Sequence, residues 1–211
     1  ARGLLVKRTD PLNQFATFAY DAVGNQVETV DRNGQTRRFV YDALNRVTEE
    51  KWLTAGTTVR TIAFGYDAAG NLLSAQDPDS HYVFQYDALD RMTSSDNAGT
   101  PLVPQVTLSY AYDAVGNGLS ITDNLGVQAG WTYDVRTLPT SLKWQGTGID
   151  PARVDFTYNA RGERTQAVRF ADLAGTQRVG SSVLAYDAAG RLTSLTHRNA
   201  VDAVIGRTGT P

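Results

Sequence analysis

Cysteine is absent from this sequence of 211 residues, and histidine occurs only twice, as His81 and His197. Without cysteine there is no disulfide framework and no cysteine metal site. Two histidines leave few nitrogen ligands for a metal cluster. We therefore expect no metal ion and no cofactor.

An excess of positive charge is also missing, since 20 Lys and Arg stand against 22 Asp and Glu. This balance, without a local basic run, gives no reason to expect nucleic acid as a partner. No apolar run approaches the roughly 20 residues that span a bilayer, so we expect no direct membrane insertion. The apolar stretch Leu4-Leu5-Val6 is too short for a signal peptide, and the chain does not begin with Met. We expect a fragment of a longer parent chain.

A Tyr-Asp phrase recurs throughout the chain. Tyr20, Tyr66, Tyr112 and Tyr158 lie at intervals of 46 residues, and Asp31, Asp77 and Asp123 keep the same interval. A second tyrosine set falls between them, at Tyr41, Tyr86, Tyr133 and Tyr186. Internal periodicity of this length is typical of repeat architectures, here with a double repeat of about 46 residues.

Each tyrosine is preceded, two positions earlier, by a bulky residue, as in Phe18/Tyr20, Phe64/Tyr66 and Trp131/Tyr133. A period of two places both side chains on one face of a strand. The following phrase supplies turn residues, ending in Gly-Asn after Tyr20, Tyr66 and Tyr112 and in Asn-Arg or Asp-Arg after Tyr41 and Tyr86. The pattern predicts two unlike hairpins per double repeat.

The predicted fold is all-β, with repetitive antiparallel hairpins in a spiralling sheet and about fifteen strands. We expect one domain over residues 1–211, with an incoming segment or cap at 1–14, repeats at 15–198 and a C-terminal tail at 199–211. The longest irregular connections are predicted at residues 96–104 and 145–152.

The turn phrase occurs in eight copies 20 to 28 residues apart, four of them of the form Tyr-Asp-Ala-x-Gly-Asn/Arg, and it resembles the YD-repeat or Rhs-repeat family. The resemblance implies a β-sheet shell of the kind found in bacterial polymorphic toxins, insecticidal toxin complexes and teneurins, where the bacterial shells enclose a toxic domain. It also implies a secreted or bacterial cell-surface protein. The turns at Tyr133 and Tyr158 depart from the pattern, because the first lacks glycine and the second has Asn159 in place of aspartate.

The residues that we expect to build the turns and the aromatic ladder are the tyrosines, aspartates and glycines of the repeated phrase. They are Tyr20, Asp21, Gly24, Tyr41, Asp42, Tyr66, Asp67, Gly70, Tyr86, Asp87, Tyr112, Asp113, Gly116, Tyr133, Tyr158, Tyr186, Asp187 and Gly190. Three tryptophans, Trp52, Trp131 and Trp144, are candidates for contact with a glycan, because aromatic faces suit sugar rings.

The turn aspartates and the two histidines are also candidates for catalytic or metal-binding roles. The repeated aspartates could pair as acid and base or bind calcium, and His81 or His197 could serve Ser80 or Ser194. Eight equivalent turns instead favour an aspartate that orders its own turn. We expect no enzyme and assign no catalytic, metal or cofactor residue.

Two functions remain open. The first is a structural scaffold, part of a shell that encapsulates or presents a polypeptide such as a secreted toxin domain, and that self-associates into a filament. The alternative is an extracellular adhesive or glycan-binding module. The corresponding partners are further repeats of the parent chain or copies of this chain, an enclosed toxin polypeptide, and glycans.

Overall fold

The computed structural model describes residues 3–209 and divides the chain into two compact units, Ala1–Thr107 and Leu108–Pro211. Over the described residues every regular element is a β-strand, which confirms the predicted all-β class of antiparallel hairpins. None of these residues forms a helix long and apolar enough to cross a membrane.

The strands of the first unit form an antiparallel meander in which each strand pairs with its neighbour in sequence. They are β1 Lys7–Thr9, β2 Phe15–Tyr20, β3 Gln26–Val30, β4 Thr36–Tyr41, β5 Val47–Thr54, β6 Thr57–Tyr66, β7 Leu72–Asp77, β8 Ser80–Tyr86 and β9 Met92–Asp96.

The second unit repeats this arrangement with longer strands towards its end. Its strands are β10 Thr107–Tyr112, β11 Gly118–Asp123, β12 Gln128–Tyr133, β13 Pro139–Gly146, β14 Ile149–Tyr158, β15 Arg164–Phe170, β16 Arg178–Tyr186, β17 Leu192–Asn199 and β18 Val204–Gly209. The first residue of β10 is the last residue of the first unit.

The strand count within residues 3–209 is eighteen rather than about fifteen. One additional strand, β1, lies in the segment expected as a cap, and another, β18, lies in the tail that showed no strand pattern. β18 forms because Asn199 orders a turn, its Oδ1 accepting the N–H of Val201 (3.1 Å) and of Ala203 (3.0 Å). The tail thereby folds back and pairs with β17.

The two predicted irregular connections have different outcomes. The first is correct, since residues 97–106 contain no strand. The second is wrong, because Gly146 pairs with Ile149 across a tight turn whose Gly148 has φ of 73°. A longer loop occurs instead at residues 171–177, where Asp172 Oδ1 accepts the N–H groups of Thr176 and Gln177, both at 3.0 Å. This loop accounts for the widened spacing before Tyr186.

Strand register separates two faces in each unit. One face, here called the aromatic face, carries the strand-ending tyrosines and the bulky residues two positions before them. Phe64, for example, lies opposite Ala75, and Ala75 lies opposite Tyr82, whose ring stacks on that of Phe84 with centroids 6.5 Å apart. Every Tyr-Asp turn lies at the same end of its unit's strands, because these turns occur at every second reversal.

Burial is low throughout the described chain. The only buried apolar side chains among residues 3–209 are Ala16, Leu53 and Ala167, and most of the aromatic face is half-buried. A sheet with so little core depends on strand pairing, cross-strand side-chain contacts and well-ordered turns.

Candidate functional site

The Tyr-Asp turns are the most repeated chemical feature of the chain, and the first shows how each is built. Tyr20 ends β2, and the next residue, Asp21, turns its carboxylate inward. Its Oδ1 atom accepts backbone N–H groups from Val23 (3.0 Å), Gly24 (2.8 Å) and Asn25 (2.8 Å). The N–H of Asp21 donates to the carbonyl of Asn25 at 2.9 Å. One carboxylate oxygen thus satisfies the donors that the chain reversal removes from the ladder.

The same bond recurs at the other turns with aspartate. Oδ1 of Asp42, Asp67, Asp87, Asp113, Asp134 and Asp187 accepts the N–H of the residue four positions later, at 3.0, 2.8, 3.1, 2.8, 3.0 and 2.9 Å respectively. The residue three positions after the aspartate has positive φ in every copy, whether it is Gly70 (102°), Asn45 (60°) or Asp90 (59°). The alternation of glycine with Asn or Asp in the sequence is therefore a choice between residues that tolerate this conformation.

The two divergent turns keep their geometry by substituting partners. At the turn that lacks aspartate, Asn159 Oδ1 accepts the N–H groups of Arg161 (3.0 Å) and Glu163 (3.1 Å), and its Nδ2 donates to Glu163 Oε2 at 2.6 Å. At the turn after Tyr133, where Thr137 takes the position with positive φ (63°), Asp134 Oδ2 is held by the guanidinium of Arg136 at 2.8 Å. The turn is conserved in form although its residues change.

Neighbouring turns are also bonded to one another, which sequence analysis missed. Arg46 donates to its own turn at Asp42 Oδ2 (2.7 Å) and to the carbonyl of Asp67 in the next turn (2.8 Å). Asn25 and Asn71 make the equivalent link to Asn45 and Asp90 at 2.8 Å each. In the second unit, Arg136 reaches the carbonyl of Asn159 and Arg161 reaches that of Asp187.

The tyrosines supply a second link between turns. Five of the strand-ending hydroxyls donate to the carbonyl of the residue six positions after the preceding tyrosine, which is the first residue of an earlier strand. The pairs are Tyr41 with Gln26 (2.8 Å), Tyr66 with Val47 (2.9 Å), Tyr133 with Gly118 (2.9 Å), Tyr158 with Pro139 (2.8 Å) and Tyr186 with Arg164 (3.0 Å). This bond explains why the position is tyrosine rather than phenylalanine.

The electrostatics of the turns favour ionised carboxylates. The side-chain bond from Arg91 holds the pKa of Asp87 below its usual value, and the side-chain bonds from Asn71 and Asn117 do the same to the pKa values of Asp67 and Asp113. Burial raises the pKa of the Tyr41 and Tyr158 hydroxyls, so they stay protonated as donors. These shifts suit structural hydrogen bonds, whereas a general acid at neutral pH needs a raised carboxylate pKa.

A second set of turns, at the other end of the strands, begins with Asp31, Asp77 and Asp123. Among these three aspartates, Asp77 also accepts a hydrogen bond from an arginine. Its Oδ1 accepts the N–H groups of Asp79 and Ser80, both at 2.8 Å, and its Oδ2 accepts Nε of Arg60 at 2.9 Å. The hydrogen bond from Arg60 is the main reason that the pKa of Asp77 falls to about 2. Asp31 and Asp123, the other members of this 46-residue series, order their turns in the same way.

An open groove of about 250 Å³ lies on the aromatic face of the second unit. Tyr110, Tyr112, Trp131 and Tyr133 line it around Gly118, and its surface is mostly apolar. A Cβ atom on Gly118 would meet nothing within 4 Å. Since the same position elsewhere carries Gln26, Val47, Leu72 or Pro139, the missing side chain of Gly118 opens this groove.

The three tryptophans are not gathered into one site. Trp131 lines the groove. Trp144, in β13, lies opposite Ala129 of β12 and Ala152 of β14 and does not line the groove. Trp52, in the first unit, donates its Nε1 proton to Glu50 at 2.7 Å. The guanidinium groups of Arg37 and Arg60 lie 5.0 and 6.0 Å from its ring.

The serine–histidine pairs considered from the sequence do not form. Ser80 donates to Asp77 Oδ1 at 3.0 Å, and Ser194 lies opposite Ala185, on the other face of β17 from His197. His197 instead contacts Ser182, with Nδ1 and Oγ 3.0 Å apart. Among residues 3–209, no group of three or more His, Asp or Glu side chains is placed to hold a metal ion.

Comparison with known proteins finds a match to one family model and a similar fold among solved structures. The RHS Repeat family model matches four overlapping segments, residues 1–36, 20–58, 41–82 and 66–101. Beyond residue 101, the turns at Asp113, Asp134, Asn159 and Asp187 continue with the same hydrogen bonds. No curated protein matches the chain.

Among solved structures, the complex TcdB2-TccC3-TEV is 16% identical, with a TM-score of 0.66 over 86% of this chain. The Tc holotoxin pore of Photorhabdus luminescens is also 16% identical, with a TM-score of 0.66 over 87%, and TcdB2-TccC3-Cdc42 has a TM-score of 0.63 over 92% at 16% identity. The chain spans only 12–13% of the length of those chains. The likeness shows a shared fold.

The tyrosine link predicts a specific loss of stability. Tyr66→Phe removes the donor to Val47 and leaves that carbonyl unpaired, so we expect the free energy of unfolding to fall by about 0.5–1.5 kcal/mol. Tyr82→Phe is the matched control, because Tyr82 is 44% exposed and its hydroxyl has no hydrogen bond within residues 3–209. Urea denaturation of both variants measures the difference, and equal stability of the two would contradict the link.

The lowered carboxylate pKa values predict acid sensitivity. Because the pKa of Asp77 drops from 3.8 to about 2 on folding, the stabilisation is complete well above pH 3.8 and is lost as the pH falls from there towards 2. Thermal melts across this range should show a falling melting temperature. Asp77→Asn should have a smaller fall over the same range, and an identical pH profile in both proteins would show that Asp77 contributes nothing.

Proposed function

We propose that this chain, which belongs to the RHS-repeat family, forms part of a β-sheet wall that encapsulates or presents another polypeptide, such as a secreted toxin domain. The observation that carries the proposal is the half-buried aromatic face, which has almost no buried apolar side chain. Such a face gains free energy when further protein surface covers it. The similar structures are toxin complexes, and their shared fold supports a comparable wall role here.

In this proposal the chain is a scaffold rather than an enzyme. Each turn aspartate is occupied by its own turn, and its lowered pKa suits that role. The family supports a secreted or bacterial cell-surface location. The enclosed partner is a polypeptide, and the wall itself is continued by more repeats of the parent chain.

Self-association belongs to the same proposal. Each hairpin pairs with its sequence neighbours, so stability in such arrays is nearly a sum of local contacts and the array can be extended repeat by repeat. Copies of this chain can extend the array in the same way. Head-to-tail extension produces a filament unless the geometry closes into a ring or shell.

The test uses the natural parent polypeptide, purified intact and treated with a protease under native conditions. We expect the enclosed segment to survive while exposed loops are cut, and electron microscopy to show a wall with density inside it. The same digestion after mild denaturation is the control and should remove the protection. Cleavage of every segment at the same rate in both conditions would refute the wall, and open fibres without enclosed density would show a filament only.

A glycan-binding module is the second candidate, and the groove around Gly118 is the observation that favours it. Tyr and Trp rings can stack on the apolar C–H face of a sugar while hydroxyl groups bond its rim. Trp131 is the tryptophan that this groove places for such a contact.

The groove can be closed without disturbing its surroundings. Gly118→Leu adds a side chain where a Cβ meets nothing within 4 Å, so we expect a folded protein that loses glycan-array binding. Trp131→Ala should weaken binding by about tenfold or more through lost ring contact. Trp144→Ala is the matched control and should leave binding unchanged. Absence of any glycan binding by the unmodified chain would remove this candidate.

A further inference from the structure

Three adjacent strands of the second unit place Arg169, Ser182 and His197 in a row on the aromatic face. Ser182 in β16 lies directly opposite Ala167 of β15 on one side and His197 of β17 on the other. Arg169, two residues beyond Ala167, donates from Nη1 to Ser182 Oγ at 3.1 Å. Ser182 Oγ lies 3.0 Å from His197 Nδ1. One hydrogen-bonded chain therefore crosses three strands.

The direction of these bonds follows from what each group can do. A guanidinium only donates, so Ser182 Oγ accepts from Arg169 and its own proton is available to His197 Nδ1. In the tautomer in which Nδ1 accepts this proton, the ring N–H of His197 is at Nε2, which becomes a donor. Ser182 is only 8% exposed, so it is buried between its two partners.

The two ends of this row, Arg169 and His197, have hydrogen-bond donors without a partner among the described residues. Within the described residues Arg169 makes no ion pair and no hydrogen bond besides the one to Ser182, and His197 Nε2 has no hydrogen-bond partner. Most other arginines of the unit have carboxylate partners, as Arg153 has Asp155 at 2.6 Å. The aromatic face around the row carries Val154, Phe156, Leu184 and Leu195, with no carboxylate among them.

The strands leave room over the row. Arg169 lies opposite Gly180 on one side and Val154 on the other, and His197 lies opposite Gly206 and Ser182, so each has one cross-strand neighbour without a side chain. Gly180 has a packing reason, because a Cβ there would lie 2.5 Å from the carbonyl of Arg198. Gly206 has no such reason, since the nearest atom to its Cβ is His197 Cδ2 at 3.9 Å. The space beside the histidine is open.

We propose that Arg169 and His197, both held in place by Ser182, form a binding site for one oxyanion, a carboxylate or a phosphate group. Two donor side chains bonded to the same serine oxygen, with no acceptor beside them, favour an anion, and the planar guanidinium can hold two of its oxygens at once. His197 Nε2 supplies a second donor at the side that Gly206 leaves open. The site stands on its own geometry, so it holds whether or not the chain forms a wall around another polypeptide.

The two histidines of the chain make a direct test possible, because one lies in the site and the other is an internal reference. We expect the ring NMR signals of His197 to shift saturably when inorganic phosphate or acetate is added at fixed pH. The signals of His81, in the first unit, should not saturate. Sodium chloride at matched ionic strength should move neither signal saturably. Saturation with only one of the two anions would narrow the site to that group.

Variants separate the site from general charge effects. Arg169→Gln should weaken the phosphate response of His197 by about tenfold or more, since it removes the charge-assisted donor. Arg207→Gln is the matched control, because Arg207 is exposed, lies opposite Thr196 and therefore points to the other face. Parallel, unsaturated shifts of both histidines in the unmodified protein would overturn the proposal, as would an unchanged response in folded Arg169→Gln.

Discussion

A carboxylate oxygen that collects the backbone N–H groups of a chain reversal is the interaction on which this fold depends. At Asp21 one oxygen accepts three such groups. The bond from the N–H of the residue four positions later recurs at each later turn. In a domain with a large core, burial could hold poorly satisfied turns in place. Here only three apolar side chains are buried in the described residues, so the turns must order themselves.

The links between turns convert local order into order of the sheet. Arg46 bonds two consecutive turns, and its guanidinium lies 4.7 Å from the Tyr66 ring, while Tyr66 bonds back to Val47. Each hairpin is therefore fixed to its neighbour by side chains as well as by the ladder. This arrangement also explains the alternation along the chain, because Asn reaches the next turn at one set of positions and Arg at the other.

The fold class, the repeat period and the turn residues could be predicted from the sequence because all three depend on local spacing. The tyrosine bonds, the turn-to-turn bonds and the Ser182–His197 contact could not, since each joins residues that only the strand register brings together. β18 was missed for a local reason: Asn199 replaces the usual aspartate, and Asp202, with φ of 69°, replaces glycine. The groove could be predicted only by aligning the repeats with one another, because Gly118 occupies a position where the other repeats have a side chain.

The turns are constant between repeats, whereas the side chains of the aromatic face vary. Even the divergent copies at Asp134 and Asn159 rebuild the same turn with different partners, so changes there are tolerated only when the hydrogen bonds survive. On the aromatic face, by contrast, a single position passes from Gln26 to Val47 to Gly118 without loss of the strand. Function that differs between repeats can therefore arise on this face, and both the groove at Gly118 and the donor row at Arg169 lie there.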